Sequence, residues 1–101
     1  MMLITKELMK KVPKVGANSR GGIEDLKFYV KLFTPWSNWT WYIAEADWET
    51  GECFGLVEGF EKELGYFDLN ELKEIRGMGG LKIERDRWFS TSTYAEVMEA
   101  S

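Results

Sequence analysis

Leu26-Lys27-Phe28-Tyr29-Val30-Lys31-Leu32-Phe33 sets Leu26, Phe28, Val30 and Leu32 on one side of the chain and Lys27, Tyr29 and Lys31 on the other. Strict alternation of this kind predicts a half-buried strand, because successive side chains of extended backbone point to opposite faces. Thr34-Pro35-Trp36-Ser37-Asn38 supplies turn residues. After it, Trp39-Thr40-Trp41-Tyr42-Ile43-Ala44-Glu45-Ala46 resumes the rhythm, with Trp39, Trp41 and Ile43 against Thr40, Tyr42 and Ala44. Asp47-Trp48-Glu49-Thr50-Gly51-Glu52 is then a polar hairpin tip, Cys53-Phe54-Gly55-Leu56-Val57 a third strand and Glu63-Leu64-Gly65-Tyr66-Phe67 a shorter fourth. Consecutive strands joined by short connections predict an antiparallel meander.

Helices are expected on either side of this block. Ile4, Leu8 and Val12 recur at helical spacing before Pro13. Asp68 with Glu71, and Thr93 with Glu96, have the spacing of capping boxes, placing one helix near residues 69–77 and another over 93–101. Residues 14–24, with Gly16, Asn18, Ser19, Gly21 and Gly22, lack periodicity and are expected to form a mobile loop. Residues 81–89 are expected to form a bent strand. The class is α+β: one small domain over residues 1–101, a meander of about four to six strands with two or three short helices. A chain of 101 residues that is 45% hydrophobic has enough apolar material for one core.

What is missing narrows the chemistry. There is no histidine, which removes the commonest general base and the imidazole metal ligands. Cys53 is the single cysteine, so no disulfide or Cys-rich metal site forms within one chain. It lies in a strand pattern and reads as a buried, inert thiol. No apolar run reaches the length of a membrane span, and charges interrupt the opening segment, unlike a signal peptide. A reducing cytoplasm is the expected location.

Residues 45–74 carry ten acidic side chains against Lys62 and Lys73, a net −8 that exceeds the −4 of the whole chain. Such a block offers a negative face to a basic partner, or simply a solvated surface. Glu84-Arg85-Asp86-Arg87 fits cross-strand ion pairing better than catalysis. Asp47, Glu49 and Gly51 lack the spacing of a calcium loop, and Gly77-Met78-Gly79-Gly80 follows a helix where a phosphate cradle should precede one. Trp39 and Trp41 are expected in the core. Trp36 and Trp48, in predicted turns, are expected to be contact residues.

Taken together, Phe33-Thr34-Pro35, Asn38-Trp39-Thr40-Trp41, Phe54-Gly55-Leu56-Val57, Glu63-Leu64-Gly65-Tyr66-Phe67, Arg76-Gly77 and Leu81-Lys82-Ile83-Glu84-Arg85-Asp86 give the chain a family resemblance. It resembles a domain-of-unknown-function family of small bacterial proteins encoded largely on conjugative plasmids and other mobile elements. That resemblance implies a setting and no reaction. The expectation is a non-catalytic accessory protein of a mobile element, of the anti-restriction or anti-CRISPR type, needing no cofactor or metal. Its partner would be a basic, nucleic-acid-binding host protein or a second copy of the chain. Trp36, Glu45, Asp47, Trp48, Glu49, Glu52 and Glu58 are the expected partner-binding residues. The alternative is a single-stranded nucleic-acid-binding module using Trp36, Trp48 and the basic N-terminal third. A small carboxylate-based enzyme is a third reading.

Overall fold

The computed structural model describes residues 3–17 and 21–100. The predicted meander is present as four strands in sequence order: β2 (Val30–Phe33), β3 (Thr40–Ala46), β4 (Glu52–Glu58) and β5 (Lys62–Asp68). The short β6 (Glu84–Arg85) joins the β2 edge, so the five-stranded antiparallel sheet runs β5-β4-β3-β2-β6. A second, two-stranded sheet pairs β1 (Lys27–Phe28) with β7 (Ser92–Thr93). The helices are α1 (Lys6–Lys11), α2 (Leu69–Glu74) and α3 (Tyr94–Ala100), with single 3-10 turns at Ile23–Asp25 and Met78–Gly80.

Both faces of the large sheet are covered. On one, Val30, Leu32, Trp41, Ile43 and Cys53 pack with Ile4, Val12, Leu69, Leu72 and Ile83 beneath α1 and α2. On the other, Tyr42, Ala44 and Leu56 pack with Leu26, Phe28 and Val97 beneath α3. β3 is therefore a central strand buried on both sides, which explains a segment apolar at nearly every position.

Two departures from simple alternation shape this arrangement. Residues 26–33 do not keep one face. The chain divides at Tyr29, whose N–H donates to the Ile43 carbonyl at 2.9 Å. Leu26 and Phe28 consequently enter the α3 side, while Val30 and Leu32 enter the α1 side. In β3 the register shifts between Ile43 and Glu45: Ile43 faces Gly55, but Glu45 faces Phe54. This bulge puts Ala44 and Glu45 on the same side of the sheet, and Glu45 is only 3% exposed.

The helix caps follow their chemistry. Thr93 and Glu96 exchange hydrogen bonds, Glu96 N–H to Thr93 Oγ1 at 3.2 Å and Thr93 N–H to Glu96 Oε1 at 2.9 Å. Asp68 caps α2 by accepting from Asn70 N–H at 2.8 Å rather than from Glu71. α2 ends at Glu74, short of the expected Gly77, because Ile75 turns extended and the Arg76 guanidinium donates to the Lys73 and Ile75 carbonyls. The expected strand over 81–89 shrinks to β6; Asp86 keeps a backbone bond to Lys31 of β2 while its carboxylate holds the loop after it. Part of the loop expected at residues 14–24, residues 18–20, lies outside the described residues, as does Ser101.

Candidate functional site

The β2–β3 turn is held by its own polar groups. Thr34 is buried, its N–H donates to the Trp39 carbonyl at 3.0 Å, and its hydroxyl hydrogen-bonds that of Ser37. This fixes Trp36 and Trp39 at one end of the sheet. Each indole lies on a glycine. A Cβ at Gly77 would come within 2.2 Å of the Trp36 ring, and one at Gly59 within 2.3 Å of the Trp39 ring, so only glycine admits such close approach without displacing the ring. Trp39 stacks on Trp41 with centroids 6.0 Å apart and takes the edge of Phe60 at 5.5 Å.

Trp39 stands between two depressions. On one side Trp36, Trp39, Trp41 and Ile75 line an apolar pocket of about 450 Å³. On the other lies an open cleft of about 600 Å³ formed by Phe33, Asn38, Trp39 and the 84–88 segment, with Lys31, Arg85 and Arg87 among its walls. Asp86 organises that segment: its carboxylate lies 3.7 Å from Lys31 Nζ and accepts from Trp88 N–H at 2.9 Å, while its own N–H donates to the Lys31 carbonyl. Arg85 donates to the Leu3 carbonyl at 2.9 Å. Phe60 and Trp88 are 95% and 94% exposed, and Met78, next to the Gly77 seat, is 88% exposed. Large apolar rings held in water around a turn make this end the candidate contact surface.

Of the residues expected to bind a partner, Trp36 lies at this aromatic end, half-buried. Asp47, Trp48, Glu49 and Glu52 lie at the other end of the seven-residue β3, roughly 20 Å away by strand rise. Trp48 is not the free-standing indole expected of a hairpin tip. It packs against the α1-side core and its Nε1 donates to the Met9 carbonyl at 3.1 Å. Asp47 Oδ1 accepts from the N–H groups of Glu49 and Thr50 and so holds the tip together. Glu45 is buried and accepts from Gly16 N–H at 2.7 Å. Glu58 is half-buried, 3.5 Å from Lys62 Nζ, and its carboxylate acts on the Tyr42 hydroxyl. Glu49 and Glu52 are exposed. The acidic block is thus shared between folding tasks and solvent. Phe60, Met78 and Trp88 were not among the expected contact residues, although an aromatic ring in a charged turn is the signal that singled out Trp48.

The groups with shifted pKa values are structural. Burial, reinforced by Asp68 and Glu52, pushes the Cys53 thiol up to about 12. Burial and the adjacent Glu58 carboxylate raise Tyr42 well above the usual phenol range. The N–H of Thr93 holds Glu96 below the usual carboxylate range. None of the three lines the cleft or the apolar pocket. Among the described residues no group of three or more His, Cys, Asp or Glu side chains is placed to hold a metal ion, and no helix is long and apolar enough to cross a membrane.

A family described as protein of unknown function (DUF2958) matches the chain over residues 3–100. No curated protein and no solved structure matches it.

Proposed function

The chain belongs to the DUF2958 family, whose description assigns no activity, and we propose that it is a non-catalytic interaction protein that holds a protein partner at the aromatic end of its sheet. The observation that carries this reading is the convergence of Phe60 and Trp88, both more than nine-tenths exposed, on an end of the sheet fixed by Trp36 and Trp39. Rigid aromatic rings desolvate at little entropic cost and dominate binding energies. Lys31, Arg85 and Arg87 outnumber Glu84 and Asp86 in the cleft. The partner surface that fits is therefore an apolar anchor flanked by carboxylates. The chain's resemblance to proteins of mobile elements supports an accessory role in a bacterial host, with a protein of a host defence system as the occupant.

Affinity capture from nuclease-treated host lysate tests this. The Phe60→Ala/Trp88→Ala double variant should melt with the wild type and lose the captured protein. Capture that survives this change and disappears with Glu49→Lys/Glu52→Lys would move the surface to the acidic tip at the opposite end.

A second reading, single-stranded nucleic acid in the same cleft, is favoured by the adjacency of Trp39 and Trp88 to three cations. It requires binding that weakens with salt by a log-log slope of about −0.7 per phosphate contacted. Such binding, abolished in Trp88→Ala, would place this reading first.

A further inference from the structure

The two edges of the large sheet are unequal. β6 is two residues long and closes the β2 side. β5 runs for seven residues, contains no proline, and pairs with β4 in unbroken register from Glu52↔Asp68 to Glu58↔Lys62. Among the described residues no strand lies on its outer side. Edge strands are normally blunted by shortness, proline, a bulge or charged side chains, and β5 carries only the last of these, at Lys62, Glu63 and Asp68.

We infer that β5 is a self-pairing edge, joining two copies of the chain antiparallel about Gly65 into one continuous ten-stranded sheet. The occupant is identified by the complementarity of the strand with itself. In Lys62-Glu63-Leu64-Gly65-Tyr66-Phe67-Asp68, antiparallel pairing centred on Gly65 sets Lys62 opposite the second copy's Asp68 and Leu64 opposite its Tyr66. Both of these cross-strand pairs are favourable, while on the opposite face the same register sets Glu63 against Phe67. Lys62, Leu64, Tyr66 and Asp68 share one face, and a two-fold axis normal to the sheet keeps that face common to both copies. Sliding the centre by one residue, to Tyr66, would lose the Lys62–Asp68 pair and put Asp68 against Leu64.

Two local facts favour this register. Within the chain Asp68 is paired with Glu52, two carboxylates side by side, and the incoming Lys62 adds a cation beside both. Lys62 keeps its 3.5 Å approach to Glu58, so the pairing extends an existing line of charges. Tyr66, whose ring lies 5.0 Å from Phe54, is 64% exposed in the single chain and gains cover from the opposing Leu64. At the axis a Cβ on Gly65 would meet nothing within 4 Å, so a side chain is accommodated there on the face of the sheet.

The test is sedimentation combined with cysteine cross-linking. The wild type should show a concentration-dependent dimer at up to about 100 μM, the range suited to a small interface. Directly opposed residues of antiparallel strands lie about 4.5–5.5 Å apart at Cα, within disulfide reach. Gly65→Cys should therefore oxidise to a covalent dimer. Lys62→Cys, six residues from its own copy across the axis, should not, and the wild type with its buried Cys53 is the blank. Lys62→Glu, which sets like charges opposite one another twice per dimer, should weaken association about tenfold. A monomer throughout that range overturns the inference. So does cross-linking of Lys62→Cys equal to that of Gly65→Cys, or a dimer in which Gly65→Cys fails to cross-link.

Discussion

Replacing Trp48 distinguishes a folded-in indole from a contact residue. Its ring is half-buried against the α1-side core, and its Nε1 spans to the Met9 carbonyl at 3.1 Å. Deleting a fully buried tryptophan costs about 3–5 kcal/mol, so half-burial accounts for about 2 kcal/mol. Loss of the hydrogen bond adds about 1 kcal/mol. Trp48→Ala should thus cost about 3 kcal/mol, a large share of the 5–15 kcal/mol typical of a domain, and lower Tm by roughly 12–24 °C. Trp48→Phe keeps most of the apolar area and forfeits the N–H, for about 1 kcal/mol. Urea unfolding followed by far-UV circular dichroism, with m-values compared, measures both. In a variant retaining only the Trp48 indole, acrylamide should quench poorly in the native state and well after unfolding. A Trp48→Ala midpoint within about 0.5 kcal/mol of wild type at equal m would show that the indole stands free, and would return the tip to the contact surface.

Cys53 should make stability fall in alkali. Its native thiol is pushed up to about 12, whereas an unfolded thiol titrates near 8.5, so the stability is present below about pH 8.5 and is lost as pH rises towards 12. At pH 10 the loss attributable to Cys53 is about 2 kcal/mol, read as the difference in pH slope of urea midpoints between wild type and Cys53→Ala; parallel slopes would refute it. Gly55→Ala should be among the most damaging single-methyl changes, since its Cβ would sit 1.7 Å from the Tyr42 carbonyl oxygen across the β3–β4 pair. Two backbones must separate to admit it, a cost at or beyond about 3 kcal/mol, visible as loss of soluble protein or a collapsed urea midpoint, and a near-native midpoint would contradict the register at the bulge.

The meander was legible because period-two alternation and turn residues are local signals, and each of the four runs became a strand. The reciprocal bonds of Thr93 and Glu96 were legible for the same reason, since both partners lie within four residues. Alternation says which side chains oppose one another across a strand, and is silent on which layer covers each side. Leu26 and Val30 therefore looked equivalent, although β1 leaves the large sheet to pair with β7 and carries Leu26 to the opposite core. The bulge that buries Glu45 leaves no mark in a stretch apolar on both sides. Trp48 was misjudged because its acceptor, Met9, is 39 positions away, and nothing near it in sequence announces a core.

The aromatic end is illegible for a more general reason. Its parts come from the β2–β3 turn, Gly59 and Phe60 of the β4–β5 turn, the segment after α2, and the loop after β6. Only strand order brings them together: a meander returns its alternate turns to the same edge, so the β2–β3 and β4–β5 turns are neighbours while the β3–β4 tip lies at the far end. Trp36 and Trp48, twelve positions apart in neighbouring turns, look like one patch in sequence and cannot be one in this topology. In the proposed reading, a partner footprint that uses Trp36 draws instead on Phe60 and Trp88. On that proposal the seats at Gly59 and Gly77 should matter to binding, because any side chain there would displace the indoles on which the footprint is built.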